Sequence, residues 1–216
     1  MLISSFNVNS IKARQPFVLQ WLATRQPDIA CLQELKVTAD KFPYDVFEAA
    51  GYHAYVHGQK AWNGVAVLTR EPAQIVQTGL PGAEDAGARL ISVSVAGLHV
   101  TSVYVPNGKT LGHEDFELKK RFMRALVVYA SELRATSGPH MIIGGDFNIV
   151  PQDIDSHAPQ GLRGSIFHTD EERALIAQLL ELDLADSYRQ LNPDGDMYSW
   201  FDYRAGCFHK NQGLRI

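Results

Sequence analysis

Four places in this chain set acid, amide or phenol side chains directly behind a short apolar run. The clearest is residues 140–151, HMIIGGDFNIVP, where Met141, Ile142, Ile143 and Gly144 read as a buried strand. Gly145 then frees the backbone to turn, and Asp146 and Asn148 follow. Groups just past the carboxyl end of a strand line the ligand crevice of an open α/β sheet, so an acid and an amide are placed here for chemistry. Asx residues also close ordinary turns, and this pair taken alone fits either role. The pattern recurs three times. Residues 2–6 lead into Asn7, Asn9 and Ser10; residues 29–32 deliver Gln33 and Glu34; residues 99–105 end among Tyr104, Pro106, Asn107 and Gly108. A lone glutamate is usually solvated, and a strand tyrosine usually buries its ring and leaves its hydroxyl at the rim.

The elements that must position these groups alternate in type. Residues 15–26 carry Phe17 or Val18, Trp21, Leu22 and Arg25 at helical spacing until Pro27 stops them. From 52 to 105 the pattern changes to short strands, 52–57, 64–68, 90–95 and 99–105, an antiparallel run that implies a mixed sheet or two sheets. Residues 116–133 form an amphipathic helix with Leu118, Phe122, Leu126, Tyr129 and Leu133 on one stripe. Lys119, Lys120, Arg121 and Arg124 make a basic rim, with Lys119 and Lys120 as possible DNA contacts. A polar loop, 152–169, precedes a helix opened by Asp170. The aromatics of YSWFDY, 198–203, could stack on bases or pack a core.

With 216 residues, 45% of them hydrophobic, the expectation is a single domain over 1–216. No window approaches a membrane span and no targeting pattern opens the chain. The two cysteines, Cys31 and Cys207, lack metal-type spacing and fit a reduced, cytoplasmic setting. A net charge of −4 argues against bulk attraction to a polyanion, so nucleic-acid binding would need a local basic face or a bound cation. Lys12, Arg14, Lys36 and Lys60 are candidates for that face.

The set SFNVNSIKAR, LQELK, YVPNG, GDFNIVPQDID, EER, YSWFDYR and GLRI closely resembles the exonuclease III family of abasic-site endonucleases, over residues 6–216. The resemblance implies a four-layered α/β sandwich, two mixed β-sheets packed face to face and flanked by helices. It further implies Mg²⁺-dependent phosphodiester hydrolysis in duplex DNA at abasic sites, nicks or 3′ ends, by a cytoplasmic monomer with no membrane partner, in base excision repair. Glu34 resembles the principal metal carboxylate, with Asn7 nearby. A hard-oxygen site of this kind suits Mg²⁺, with Mn²⁺ as substitute. By the same matching, Asp146 resembles the residue that orients or deprotonates the attacking water, and Asn148 an amide beside it. Tyr104 and Asn107 resemble phosphate-gripping groups, and Asn9 and Lys119 are further substrate-binding candidates. Trp200, Leu214 and Ile216 resemble the apolar pocket that accepts a deoxyribose without its base. Such a sugar leaves the stack at lower cost than an intact nucleotide.

In that family GLRI runs into an aspartate, and a Ser-Asp-His motif follows. None of the eight histidines here stands in such a context. The chain therefore reads as a C-terminally truncated member that lacks the last strands, expected to be weakly active or inactive as a nuclease. Two other readings stand beside it: a phosphodiesterase acting on a lipid or inositol phosphate, disfavoured by YSWFDYR and GLRI, and a protein that binds abasic or nicked DNA without cutting it.

Overall fold

The computed structural model describes residues 1–138, 140–195 and 197–216. Its chain forms two compact units: residues 1–105 with 132–146, and residues 106–131 with 147–216.

The first unit begins with β1 (Ile3–Asn7), α1 (Ile11–Arg25), β2 (Ile29–Gln33) and α2 (Tyr44–Ala49). Five strands follow: β3 (His53–His57), β4 (Val65–Thr69), β5 (Gln74–Thr78), β6 (Leu90–Val95) and β7 (Leu98–Tyr104). The helix α3 (Glu114–Ser137) contributes residues to both units, and β8 (Met141–Asp146) completes the first. One sheet has the order β1-β2-β4-β3 and the other β5-β6-β7-β8. Each is mixed: β1 pairs with β2 and β7 with β8 in parallel, and the remaining pairs are antiparallel.

Alternation along β2 shows how one strand serves two layers. Ile29 and Cys31 join Val65, Val67, Ile91, Val93 and Val100 in an apolar layer between the sheets. Ala30 and Leu32 face the other way, into a cluster with Val18 and Leu22 of α1 and Phe47 of α2. Opposite faces of a pleated strand make this possible, and a strand covered on both faces reads as an unbroken apolar run.

Three local expectations are corrected. The first helix starts at Ile11 and not at residue 15: the Ser10 hydroxyl accepts the Ala13 N–H there, and Pro16 lies inside the helix. Gly145 makes no turn: it lies within β8, and a Cβ there would come 1.9 Å from the Val103 carbonyl oxygen. It permits close approach of two parallel strands. The edge strand β5 has no counterpart in the sequence reading, because its residues are mostly exposed and show no clean alternation.

The second unit holds α4 (Pro159–Leu162), α5 (Asp170–Leu180), α6 (Ser187–Leu191) and an antiparallel pair, β9 (Trp200–Phe201) with β10 (Gly213–Leu214). The capping box of α5 is Thr169 with Glu172. Among the described residues no helix is long and apolar enough to cross a membrane.

Candidate active site

In the first unit the sheet registers bring the strand ends together. Asn7, last in β1, lies opposite Gln33, last in β2, with Glu34 next in the chain. Tyr104, last in β7, lies opposite Asp146, last in β8. Beneath them Gln33 Nε2 donates to Ser102 Oγ at 3.2 Å, and that hydroxyl donates to the Leu32 carbonyl at 3.2 Å, tying one sheet to the other. The side-chain amide of Asn7 donates to Glu34 Oε1 at 2.8 Å and to Asp146 Oδ2 at 2.9 Å. The Tyr104 hydroxyl also donates to Glu34 Oε1, at 3.0 Å. The four residues were expected from separate stretches of sequence, and the structure gathers them in one cluster.

The turn after β2 is conformationally demanding. Glu34 has φ 55° and Lys36 φ 57°, both left-handed, a conformation that costs a non-glycine residue on the order of 1–3 kcal/mol. Main-chain bonds hold it: Ser10 N–H to the Glu34 carbonyl at 2.7 Å and Ile11 N–H to that of Leu35 at 3.0 Å. Lys36 Nζ then lies 2.9 Å from Glu34 Oε2 and donates to Asn9 Oδ1 at 2.5 Å. Asn9 is therefore joined to the carboxylate cluster through Lys36.

Burial pushes the Glu34 carboxyl up, but hydrogen bonds from Asn7, Lys36 and Tyr104 outweigh it and hold the group below the usual carboxylate range. Burial first, and the Glu34 charge second, push the Tyr104 phenol up, so it stays a donor at neutral pH. Arg89 braces that ring, with its guanidinium 4.6 Å from the ring centroid and Nη1 donating to the Tyr104 carbonyl at 3.1 Å.

The donors in this cluster are hard oxygens. Among the described residues no group of three or more His, Cys, Asp and Glu side chains is placed to hold a metal. Two carboxylates sharing one amide nevertheless fit a magnesium-type ion, which commonly takes one or two carboxylates and fills its remaining positions with water and substrate phosphate. A structural zinc site would require the missing nitrogen and sulfur ligands.

In the second unit Asn107 Nδ2 donates to Asn148 Oδ1 at 3.3 Å, and Asn148 has a left-handed backbone with φ 52°. Lys119 was expected on an exposed rim. Its side chain is instead fully buried and paired with the equally buried Glu172. The stripe that buries it runs Phe116, Lys119, Met123, Leu126, Ala130 and Leu133, so the lysine occupies an apolar position of α3. It is removed from any direct substrate contact.

Trp200 and Leu214 are register partners in the β9–β10 pair, Trp200 40% exposed and Leu214 buried. Ile216 lies two residues beyond Leu214, and its N–H donates to Ser199 Oγ at 3.2 Å. Between Leu214 and Ile216, Arg215 turns to Asp155 (Nε–Oδ1 2.6 Å) and Asp186 (Nη2–Oδ2 2.6 Å), and Arg189 meets Asp155 at 2.5 Å. The network around buried Asp155 thus anchors Arg215, the residue between Leu214 of the pair and Ile216 beyond it. Tyr203, 91% exposed, is no part of a core.

Sequence reasoning gave no role to Glu172, Asp155, Arg189, Arg215 or Arg89. Threonine three residues before Glu172 is a capping-box signature and could have flagged it. Asp155 and Arg215 stand inside the quoted motifs, but nothing in their spacing joins them.

Two mixed sheets with acids, amides and a phenol at their strand ends define an α/β protein with a polar, cation-compatible centre. A model of the endonuclease/exonuclease/phosphatase family matches residues 4–216. The exodeoxyribonuclease III of Haemophilus influenzae is 38% identical over 229 residues, covering 100% of this chain and 85% of its own length. A 3′ phosphatase from Neisseria, solved with a product DNA hairpin, superposes with TM-score 0.95 at 39% identity, covering 100% of this chain and 84% of that one. An AP endonuclease from Archaeoglobus fulgidus superposes with TM-score 0.93 at 34% identity, again covering 100% and 84%. The chain belongs to the endonuclease/exonuclease/phosphatase family, in its exonuclease III branch of metal-dependent DNA nucleases.

Proposed function

We propose that this protein hydrolyses phosphodiesters in duplex DNA in base excision repair, as a 3′-to-5′ exonuclease and abasic-site endonuclease, with Mg²⁺ held at Glu34 and Asn7. The observation that carries this reading is the single Asn7 amide shared by Glu34 and Asp146. Like charges brought together in a folded protein repel, and a cation beside them offsets the repulsion.

When bound there, Mg²⁺, or Mn²⁺ in its place, would stabilise charge growing on phosphate oxygens and on the leaving 3′-oxygen. The other roles belong to the chain. Asp146 accepts the proton of the attacking water, or orients that water, from hydrogen-bond range. Tyr104, kept protonated by burial and by Glu34, donates to a phosphate oxygen. The Asn107 and Asn148 amides are further phosphate and water donors. Lys36, held by the Asn9 side-chain carbonyl that accepts from its ammonium, lends the cluster a positive charge against substrate anions. Trp200, Leu214 and Ile216 form an apolar seat for a sugar without its base. The products are a 3′-hydroxyl and a 5′-phosphate.

The test is a duplex carrying one abasic site, incubated under single turnover with Mg²⁺ or with chelator. Metal-dependent incision, lost in Asp146→Asn, supports the proposal. Tight binding with no incision even at long times overturns it in favour of a binding protein, and turnover of a phosphoinositide with none of DNA moves the substrate to a lipid.

A further inference from the structure

The Lys119–Glu172 pair is a costly way to fill space. Two buried charges of this kind are about as stable as an apolar pair of the same volume, or less so, and stability alone therefore gives it no rationale. Its hydrogen bonds give it one. An ammonium has three donors. Besides Glu172 Oε1, Lys119 Nζ reaches the Asn148 main-chain carbonyl at 2.6 Å and that of Asn107 at 3.3 Å. It also lies 4.7 Å from the centroid of the Phe167 ring.

Glu172 is held just as completely. Its Oε1 also accepts the Phe167 N–H at 3.1 Å, while Oε2 accepts the Thr169 N–H at 3.1 Å and hydroxyl at 2.8 Å. The carboxylate is thereby fixed to the first turn of α5, and the ammonium to α3. Gly108 lets the chain pass over the lysine stem: a Cβ there would come 3.2 Å from Lys119 Cδ.

The two carbonyls that Lys119 grips belong to the two residues whose side-chain amides meet at 3.3 Å. Asn148 is left-handed, so the direction of its carbonyl fixes where its side chain projects. We propose that Lys119 and Glu172 are positioning residues, which hold Asn107 and Asn148 in the orientation the phosphodiester reaction needs. This rests on the reading of Asn148 as an active-site amide. Neither Lys119 nor Glu172 touches substrate.

The test compares wild type with the double variant Lys119→Met/Glu172→Gln. It removes both charges together and keeps an acceptor for the α5 capping box. Thermal unfolding confirms that it folds. The side-chain amide NMR signals of Asn107 and Asn148, assigned with single-Asn variants, are expected to shift and collapse towards averaged positions. Single-turnover incision is expected to slow by on the order of 10²-fold with DNA half-saturation unchanged, the mark of misplaced groups rather than lost binding. Adding the pair of changes to Asn148→Gly, which removes the side chain without backbone strain, should cost less further rate than the pair costs in wild type, the remainder acting through Asn107. Unmoved amide signals, or a folded double variant at the wild-type rate, overturn the proposal. If Asn148→Gly alone leaves the rate intact, the active-site reading of Asn148 fails by itself, while the amide signals still decide whether the pair positions it.

Discussion

Asn7 and Asp146 stand 139 residues apart in the chain, yet the amide of one donates to the carboxylate of the other at 2.9 Å across two sheets. Because that amide also donates to Glu34, its removal should set two carboxylates against each other. We expect Asn7→Ala to lower single-turnover incision by on the order of 10²-fold and to raise the Mg²⁺ concentration needed for half-maximal rate. A Mg²⁺ titration of both proteins checks this.

The charge on buried Asp155 is met by Arg189 and Arg215 together. In Asp155→Asn two guanidinium groups lose their main partner, and the change should destabilise the protein by about 3 kcal/mol, read by urea unfolding. A loss within experimental error would show that Asp186 suffices to hold Arg215.

Gly145→Ala should be the most damaging small substitution in the first unit, costing more than about 4 kcal/mol or preventing folding, because backbone on β7 blocks the Cβ. Soluble expression and a thermal melt beside Gly144→Ala provide the comparison: the nearest atom to a Cβ at 144 is Cys31 Sγ at 3.9 Å.

His168 gives stability a pH dependence. Burial, foremost, lowers its pKa from the usual 6.5, with Arg173 adding to the effect, and its ring nitrogens meet the Ile166 carbonyl and Ser156 Oγ. The unfolded chain therefore takes up the proton first as pH falls. The stability from a neutral His168 is fully present above about pH 6.5 and is lost as pH falls from there through the lower folded pKa. His168→Gln should flatten the melting temperature over that window, which melts at stepped pH would detect.

The site was legible in proportion to how locally its geometry is encoded. Asn7, Glu34, Tyr104 and Asp146 lie at the ends of apolar runs, a placement that marks them as candidates while their roles come from the family resemblance, and the sheet registers bring them together. The left-handed turn at Glu34 was not legible, since nothing in the letters ELK asks for a positive φ; distant bonds from Ser10 and Ile11 impose it. Lys119 was misplaced for a different reason. A charged residue reads as exposed, whereas the stripe Phe116, Met123, Leu126 includes position 119, and its counter-ion lies 53 residues further on. Gly145 was read for its freedom when its value lies in its size.

The most direct test is Mn²⁺ binding, followed by electron paramagnetic resonance, in wild type, Glu34→Gln and Asp146→Asn. One ion bound by wild type, and bound at least about tenfold more weakly by each variant, is the predicted result. Mn²⁺ held with wild-type affinity by both variants would show that these carboxylates do not share a cation, and would contradict the site on which the proposed reaction is built.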